Sequence, residues 1–469
     1  MSSAPLSGLR EHVSSILVAT LSATFGVALL QVTGVLATAI SADPTTGASG
    51  TVRIMLAIVA WVFIAIAIYV GSIVTVNTFA TIVAGRARTI ALLRLIGSSA
   101  RRQRQAVARE GLLVGVLGAI AGAAIGTGLA VALERLAVWI GWLPELSHDW
   151  ADLGMAAPLV AVALSTWLSA WVGSRRVLTV TPLEAIGGSQ PRSHDELRAR
   201  PRRNAIAITL IVLGTAILVL AMLLGLVTPL AVLVGVVGGM LSFTGIVLAA
   251  HLIMPPALRL VGRMLGRGPA SRLAAANAVR YPERASRTTI GVVIGVTLVT
   301  MFGVTTASFR ALVEAASANE PEVYQGTAAM LDSVTVVFSV LIGVSALIAA
   351  VGLVNALSLS VMQRTRELGL LRALGFSRGQ LRRMILAESV QLTATAVLVG
   401  LVLGTLYGWA GAQSLLGSAA GMPGIVAPGV PWAVIAVIVV AAALLTAVAS
   451  IAPTRRATRV TPITALAVE

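Results

Sequence analysis

Long apolar runs separated by short polar stretches dominate this chain of 469 residues. A helix needs about 20 apolar residues to cross about 30 Å of hydrocarbon. On that ruler the pattern predicts ten membrane-spanning helices, near residues 13–40, 54–83, 107–133, 154–174, 205–225, 230–254, 287–309, 333–361, 385–412 and 431–452. The narrowest separation lies between the fifth and sixth, where Leu226-Val227-Thr228-Pro229 divides two apolar stretches; Gly225 and Pro229 predict a tight turn there. The run that begins near Val13 is too long for a cleavable signal core of about 7 to 15 residues, and it reads as the first permanent span. The outer loops, near 41–53, 134–153, 310–332 and 413–430, are too short for an independent domain.

The polar stretches repeat. Val76-Asn77, Arg86-Ala87-Arg88, Leu92-Leu93-Arg94 and Gly97 recur as Val354-Asn355, Arg364-Thr365-Arg366, Leu370-Leu371-Arg372 and Gly375. Glu110 matches Glu388 at the same offset, and Gly122-x-x-x-Gly126 matches Gly400-x-x-x-Gly404. Arg175-Arg176 with Val180-Thr181-Pro182 then matches Arg455-Arg456 with Val460-Thr461-Pro462. Duplication of a four-span unit, with a two-span hairpin between the copies, accounts for this order. The boundaries are 1–186 for the first unit, 187–204 for a basic linker, 205–254 for the insert and 270–469 for the second unit.

Charge then sets the sidedness. All 34 basic residues are arginine, and the net charge is +16. With the N-terminus inside, only Arg53, Arg135 and Arg310 fall on the outer face, which is the asymmetry expected of loops retained in the cytoplasm. Both termini are therefore expected in the cytoplasm. The arginine-rich linker 187–204 reads as a flexible segment against anionic lipid. Trp139, Trp142 and Trp150 suit the outer interface.

In each repeat, leucines at helical spacing alternate with arginines. Leu92, Leu93 and Ile96, with Arg88, Arg94, Arg101, Arg102 and Arg104, predict a short amphipathic helix at the membrane surface that ends at Gly97. Leu370, Leu371 and Leu374, with Arg366, Arg372, Arg378, Arg382 and Arg383, predict the same ending at Gly375. Such a basic elbow between two spans is what a membrane protein offers to a cytoplasmic partner. An ordinary positive loop would explain the arginine excess but not a repeated residue order.

Other chemistry is thinly represented. The chain has no cysteine, which excludes disulfides and thiolate ligands. Its four histidines are scattered, so no metal site and no catalytic residue is assigned. Basic residues confined to loops between apolar spans do not form a nucleic-acid-binding module. Without a lysine the chain cannot form a P-loop, so any ATP chemistry belongs to another polypeptide. Glu110 and Glu388, at the mouths of spans three and nine, read as structural ion-pair candidates. Gly122, Gly126, Gly400 and Gly404 suit a close helix contact, expected between the two halves, with lipid-facing glycines as the alternative. Trp61, Phe63, Tyr69, Phe338 and Gln31 are candidates for a substrate-contacting surface or for simple packing.

The run Arg364-Thr365-Arg366-Glu367-Leu368-Gly369-Leu370-Leu371-Arg372-Ala373-Leu374-Gly375 resembles the signature of FtsX-like permeases, the membrane subunits of type VII ABC systems. Asn277 with Arg280-Tyr281-Pro282-Glu283-Arg284 looks like the amphipathic helix that precedes a unit in that family; Thr181-Pro182-Leu183-Glu184-Ala185-Ile186 and Thr461-Pro462-Ile463-Thr464-Ala465-Leu466 look like its closing motif. The resemblance implies an all-α polytopic membrane protein with coupling helices near 84–98 and 362–376. Arg86, Arg88, Arg94 and Gly97, and Arg364, Arg366, Glu367, Arg372 and Gly375, would then face an ATPase. Asn77, Asn355, Glu110, Glu388 and the four glycines would be structural or gating positions. The first copy departs from the signature at Thr89, where the second has Glu367.

By the same resemblance the chain is no enzyme itself and carries no cofactor. Two copies of a cytoplasmic ABC ATPase, with ATP and Mg on the partner, would drive export of an amphipathic or hydrophobic molecule such as a drug, peptide or lipid across or out of the plasma membrane. The other implied role is mechanotransmission to an extracellular hydrolase or a sensor kinase without transport. Short outer loops offer little of the roughly 800 Å² per side that a stable docking interface takes.

Overall fold

The computed structural model describes residues 13–42, 50–85, 87–139, 156–175, 201–264, 282–319, 375–418 and 424–459. Every regular element among them is a helix. In chain order these are α1 (Val13–Ala42), α2 (Gly50–Gly85), α3 (Ala87–Leu95), α4 (Ala100–Trp139), α5 (Ala156–Gly173), α6 (Pro201–Leu224), α7 (Ala231–Leu248), α8 (Ala250–Met264), α9 (Pro282–Asn319), α10 (Arg378–Leu416) and α11 (Trp432–Arg459). Among the described residues six helices are long and apolar enough to cross a membrane: Ala100–Trp139, Ala156–Gly173, Pro201–Leu224, Ala231–Leu248, Thr289–Ala315 and Gly379–Leu416. Shorter apolar stretches in α1, α2 and α11 fall where the first, second and tenth spans are expected. The eighth expected span, 333–361, lies outside the described residues, as do Asn277 and most of the loop with Trp142 and Trp150.

The helices group into two compact units, α1 to α5 and α6 to α11. In the first, α4 lies along α1 and α5, and α2 packs on α1 and α5. Lipid is as apolar as leucine, so close backbone approach rather than hydrophobicity must hold such helices together. The buried face of α4 is accordingly small: Ala108, Gly111, Gly115, Gly118, Ala119, Gly122, Gly126 and Ala130, with Val114. Gly111 and Gly115 meet α5, where a Cβ on Gly115 would lie 2.9 Å from the Ala163 carbonyl oxygen. Gly118, Gly122 and Gly126 meet α1; a Cβ on Gly122 would lie 2.6 Å from the Thr20 carbonyl oxygen and 2.8 Å from the Thr24 nitrogen. In the second unit Gly400 and Gly404 meet α9 in the same way, a Cβ on Gly404 falling 2.6 Å from the Thr297 carbonyl oxygen. The glycine pairs therefore join two helices of one unit, which corrects the expectation of a contact between halves and also excludes the lipid-facing alternative.

The insert does more than connect. Gly214, Gly238 and Gly245 press α6 against α7, and the turn at Leu226–Leu230 closes the hairpin as expected. Gly225 also has a second reason to be glycine, since a Cβ there would lie 2.6 Å from the Ser414 Cα on α10. The Ser242 and Tyr407 hydroxyls are 2.8 Å apart, and the Phe243 and Tyr407 rings meet edge to face. The sixth span ends sooner than expected: α7 stops at Leu248, and from Ala250 the chain continues as a separate amphipathic helix, α8. Its face of Ala250, His251, Met254, Pro255, Leu258 and Val261 is buried against α9 and α10.

The duplicated helices α4 and α10 thus differ where the insert covers α10. Leu113 is 57% exposed, whereas Gln391 at the matched position is 2% exposed and its Nε2 donates to the Leu258 carbonyl on α8 at 2.9 Å. Leu117 and Leu136 are exposed on α4, while Thr395 and Ser414, their counterparts, are buried. Apolar side chains suit lipid; polar ones are retained where a helix supplies partners. Gln391→Leu removes this interhelical bond to the Leu258 carbonyl, at a cost of about 0.5–1.5 kcal/mol. Hydrogen exchange in residues 250–264 is expected to speed up in that variant while α1 to α5 exchange as before. Unchanged protection of α8 would show that Gln391 does not hold it.

Candidate functional site

The first elbow is α3 and the turn into α4. On α3, Ile90 and Ala91 are buried together with Val83 of α2, and Ala100 and Val107 of α4 pack against them. That anchor leaves Leu92 and Leu95 more than half exposed and Ile96 81% exposed. The apolar face expected from Leu92, Leu93 and Ile96 is therefore not the face that packs on the unit; Ile90 and Ala91 take that side. Sequence reasoning missed Leu95 at the exposed tip and Ile90 and Ala91 as the anchor.

Gly97 ends α3 with φ +97°, and Gly375 has φ +96°; these are the positive-φ residues among those described. The Gly97 amide donates to the Arg94 carbonyl at 3.1 Å and the Ser98 amide to the Leu93 carbonyl at 2.9 Å, the paired bonds of a Schellman ending. Only two residues separate Gly97 from α4, where the Arg102 amide donates to Ser99 Oγ at 3.2 Å. In the second copy Ser377 caps α10: the Gln380 amide donates to Ser377 Oγ at 3.2 Å and the Ser377 amide to Gln380 Oε1 at 2.9 Å. That Ser-x-x-Gln capping box is legible in the sequence and fixes where the elbow ends.

The elbow is also tied to its unit. Arg104, one turn into α4, donates through Nε and a terminal nitrogen to the Trp171 carbonyl at 3.2 and 3.0 Å, and its guanidinium carbon sits 3.7 Å from the centre of the Trp171 ring. A guanidinium over an indole face that also donates two bonds to one carbonyl is a fork that lysine cannot reproduce. α3 is thus packed on α2 at Val83 and joined to α4 by the turn, and α4 is tied to α5 through Arg104.

Of the other expected site residues, Arg94 and Asn77 are half-buried in or near this elbow, and the side chains of Arg86 and Arg88 lie outside the described residues. Arg364, Arg366, Glu367, Arg372 and Asn355 also lie outside them. Glu388 is buried and Glu110 half-buried, on the matched first turns of the membrane-crossing parts of α10 and α4. Gln31 is buried and donates to Thr127 Oγ1 of α4 at 3.4 Å, so it serves helix packing; Trp61 is exposed. Among the described residues no group of three or more His, Cys, Asp or Glu could hold a metal ion.

Comparison with known proteins adds to this geometry. The family described as FtsX-like permease C-terminal matches residues 61–182 and 339–462, together more than half of the chain and containing both elbows. The insert lies between the two matches. A protein of Bacillus subtilis (strain 168) called "Uncharacterized ABC transporter permease YknZ" is 32% identical over 151 residues, which cover 32% of this chain and 36% of that protein. The chain thus spans about a third of the length of this curated relative.

Proposed function

The chain belongs to the FtsX-like permease family, and on that premise we propose that it is the permease subunit of an ABC transporter. In this reading ten spans form two four-helix units flanking the insert, with both termini in the cytoplasm. Each elbow seats in a groove of one ATPase subunit, two per permease, and the ATP and Mg belong to those partners. Closure of the ATPases draws the elbows together and repacks the units, expelling an amphipathic or hydrophobic molecule such as a drug, peptide or lipid toward the outside.

The observation that carries this reading is the anchored elbow with an apolar tip. Leu92, Leu95 and Ile96 are held out in water or at a partner's surface by an α3 whose other side is buried at Ile90 and Ala91. Burying one such side chain in a groove is worth about 1.5–3 kcal/mol. Replacing Leu92, Leu95 and Ile96 together by serine is expected to abolish recovery of ATP-hydrolysing protein when the full chain is affinity-purified from its native membrane, with insertion intact. Reversing Arg366 and Arg372 to glutamate is expected to do the same at the second elbow. Full ATPase recovery with both sets of changes would sink the assignment.

A further inference from the structure

We propose that the outer face of α8 is a docking surface for an anionic phospholipid of the leaflet on the arginine-rich side. It is independent of the transport reading, since it needs only that α7 crosses the membrane with α8 at its arginine-rich end. After α7 the chain turns at Ala249, whose amide still bonds the Gly245 carbonyl at 2.8 Å, and runs on as α8. Several contacts pin the inner face of α8. His251 is buried with its ring nitrogens 3.0 Å from the Leu248 carbonyl oxygen and 3.0 Å from Asn204 Oδ1 of α6. Thr289 Oγ1 of α9 lies 3.7 Å from the Met254 sulfur, and Gln391 of α10 holds the Leu258 carbonyl.

A helix fixed in this way at the end of a span cannot roll to hide its opposite side. That side carries Arg259 and Arg263, both exposed, with Leu260 54% and Met264 81% exposed beside them. Residues four apart stand one above the other about 5–6 Å apart on a helix. The two guanidinium groups therefore form one ridge that a single phosphate can bridge, since each presents a planar fork of donors. Leu260 and Met264 form the parallel ridge, an apolar strip next to the charged one. Exposed Arg202 and half-buried Arg203 at the start of α6 add positive charge near the start of α8, where Arg203 reaches the Leu248 carbonyl at 3.4 Å.

A basic face exposed only to water gains nothing from the leucine and methionine beside its arginines. An amphipathic helix at the bilayer interface does, because its apolar strip enters the acyl boundary while the arginines meet headgroups. Charge complementarity selects an anionic headgroup over a zwitterionic one.

The purified full chain in detergent, given phosphatidylglycerol or phosphatidylcholine and read by native mass spectrometry, tests this. Wild type is expected to retain phosphatidylglycerol in preference. Arg259→Gln with Arg263→Gln lowers that affinity about 25-fold, the product of two surface arginines at about fivefold each. Leu260→Ser with Met264→Ser also lowers it. Both pairs are exposed, so folding is preserved, and an unchanged thermal transition verifies it. Equal retention of the two lipids by wild type, or undiminished phosphatidylglycerol binding in either double variant, overturns the proposal.

Discussion

Gly122→Leu is expected to abolish the folded first unit, whereas Gly128→Leu, less than two turns away on the same helix, is expected to be tolerated. At Gly122 even a Cβ collides with backbone on α1, at 2.6 Å from the Thr20 carbonyl oxygen and 2.8 Å from the Thr24 nitrogen. Neither atom can rotate aside. Overpacking a core costs about 1–3 kcal/mol when side chains can yield, and here the two helices must separate along a contact that continues at Gly118 and Gly126. At Gly128 nothing lies within 4 Å of an added Cβ, and the matched position of the second copy already holds Leu406, 54% exposed. Size-exclusion profiles and thermal unfolding in detergent check the pair. Two variants that behave alike would show that α1 and α4 do not cross at Gly122.

The second large effect is expected at the elbow. Gly97→Val should leave the protein folded and inserted yet remove most of the partner-dependent ATPase activity, while Gly97→Asn should retain most of it. No atom lies within 4 Å of a Cβ added at Gly97, so the entire penalty comes from φ +97°. A left-handed conformation costs an ordinary residue roughly 1–2 kcal/mol, more for a β-branched one, and asparagine tolerates it best. The penalty is too small to unfold two units but is large beside the stability of a nine-residue helix. In the valine variant α3 would end elsewhere, and Leu92, Leu95 and Ile96 would lose the direction set by Ile90 and Ala91. ATP hydrolysis by the copurified complex, with chain recovery as the reference, measures it. Equal activity of the two variants would remove the left-handed turn from the coupling step.

Several features were legible because they depend on length and local chemistry. The run that became α4 was visible as an apolar stretch bounded by arginines, and Gly97 as the natural end of α3. Gly375, at the matched position, has the same left-handed φ. The bounds of α7 were less legible: Ala249 to Met254 continues the apolar run apart from His251, and only the structure shows the helix interrupted at Ala249. The glycine pairs mark contact sites in the sequence but not the neighbour, which is α1 for Gly122 and Gly126 and α9 for Gly400 and Gly404. A residue without a side chain records that something comes close, not what does.

The sequence by itself determined that this is a helical membrane protein carrying a repeated basic segment. Span length, arginine placement and the left-handed glycines depend only on nearby residues and on the solvent. Tertiary structure alone decided that Gly122 and Gly126 face α1, that the insert and α8 cover α10 while α4 keeps its leucines bare, and that Leu92, Leu95 and Ile96 point away from the unit. In a bilayer, lipid and a neighbouring helix are equally apolar, so hydrophobicity cannot tell the two faces apart; only the approach of one backbone to another does.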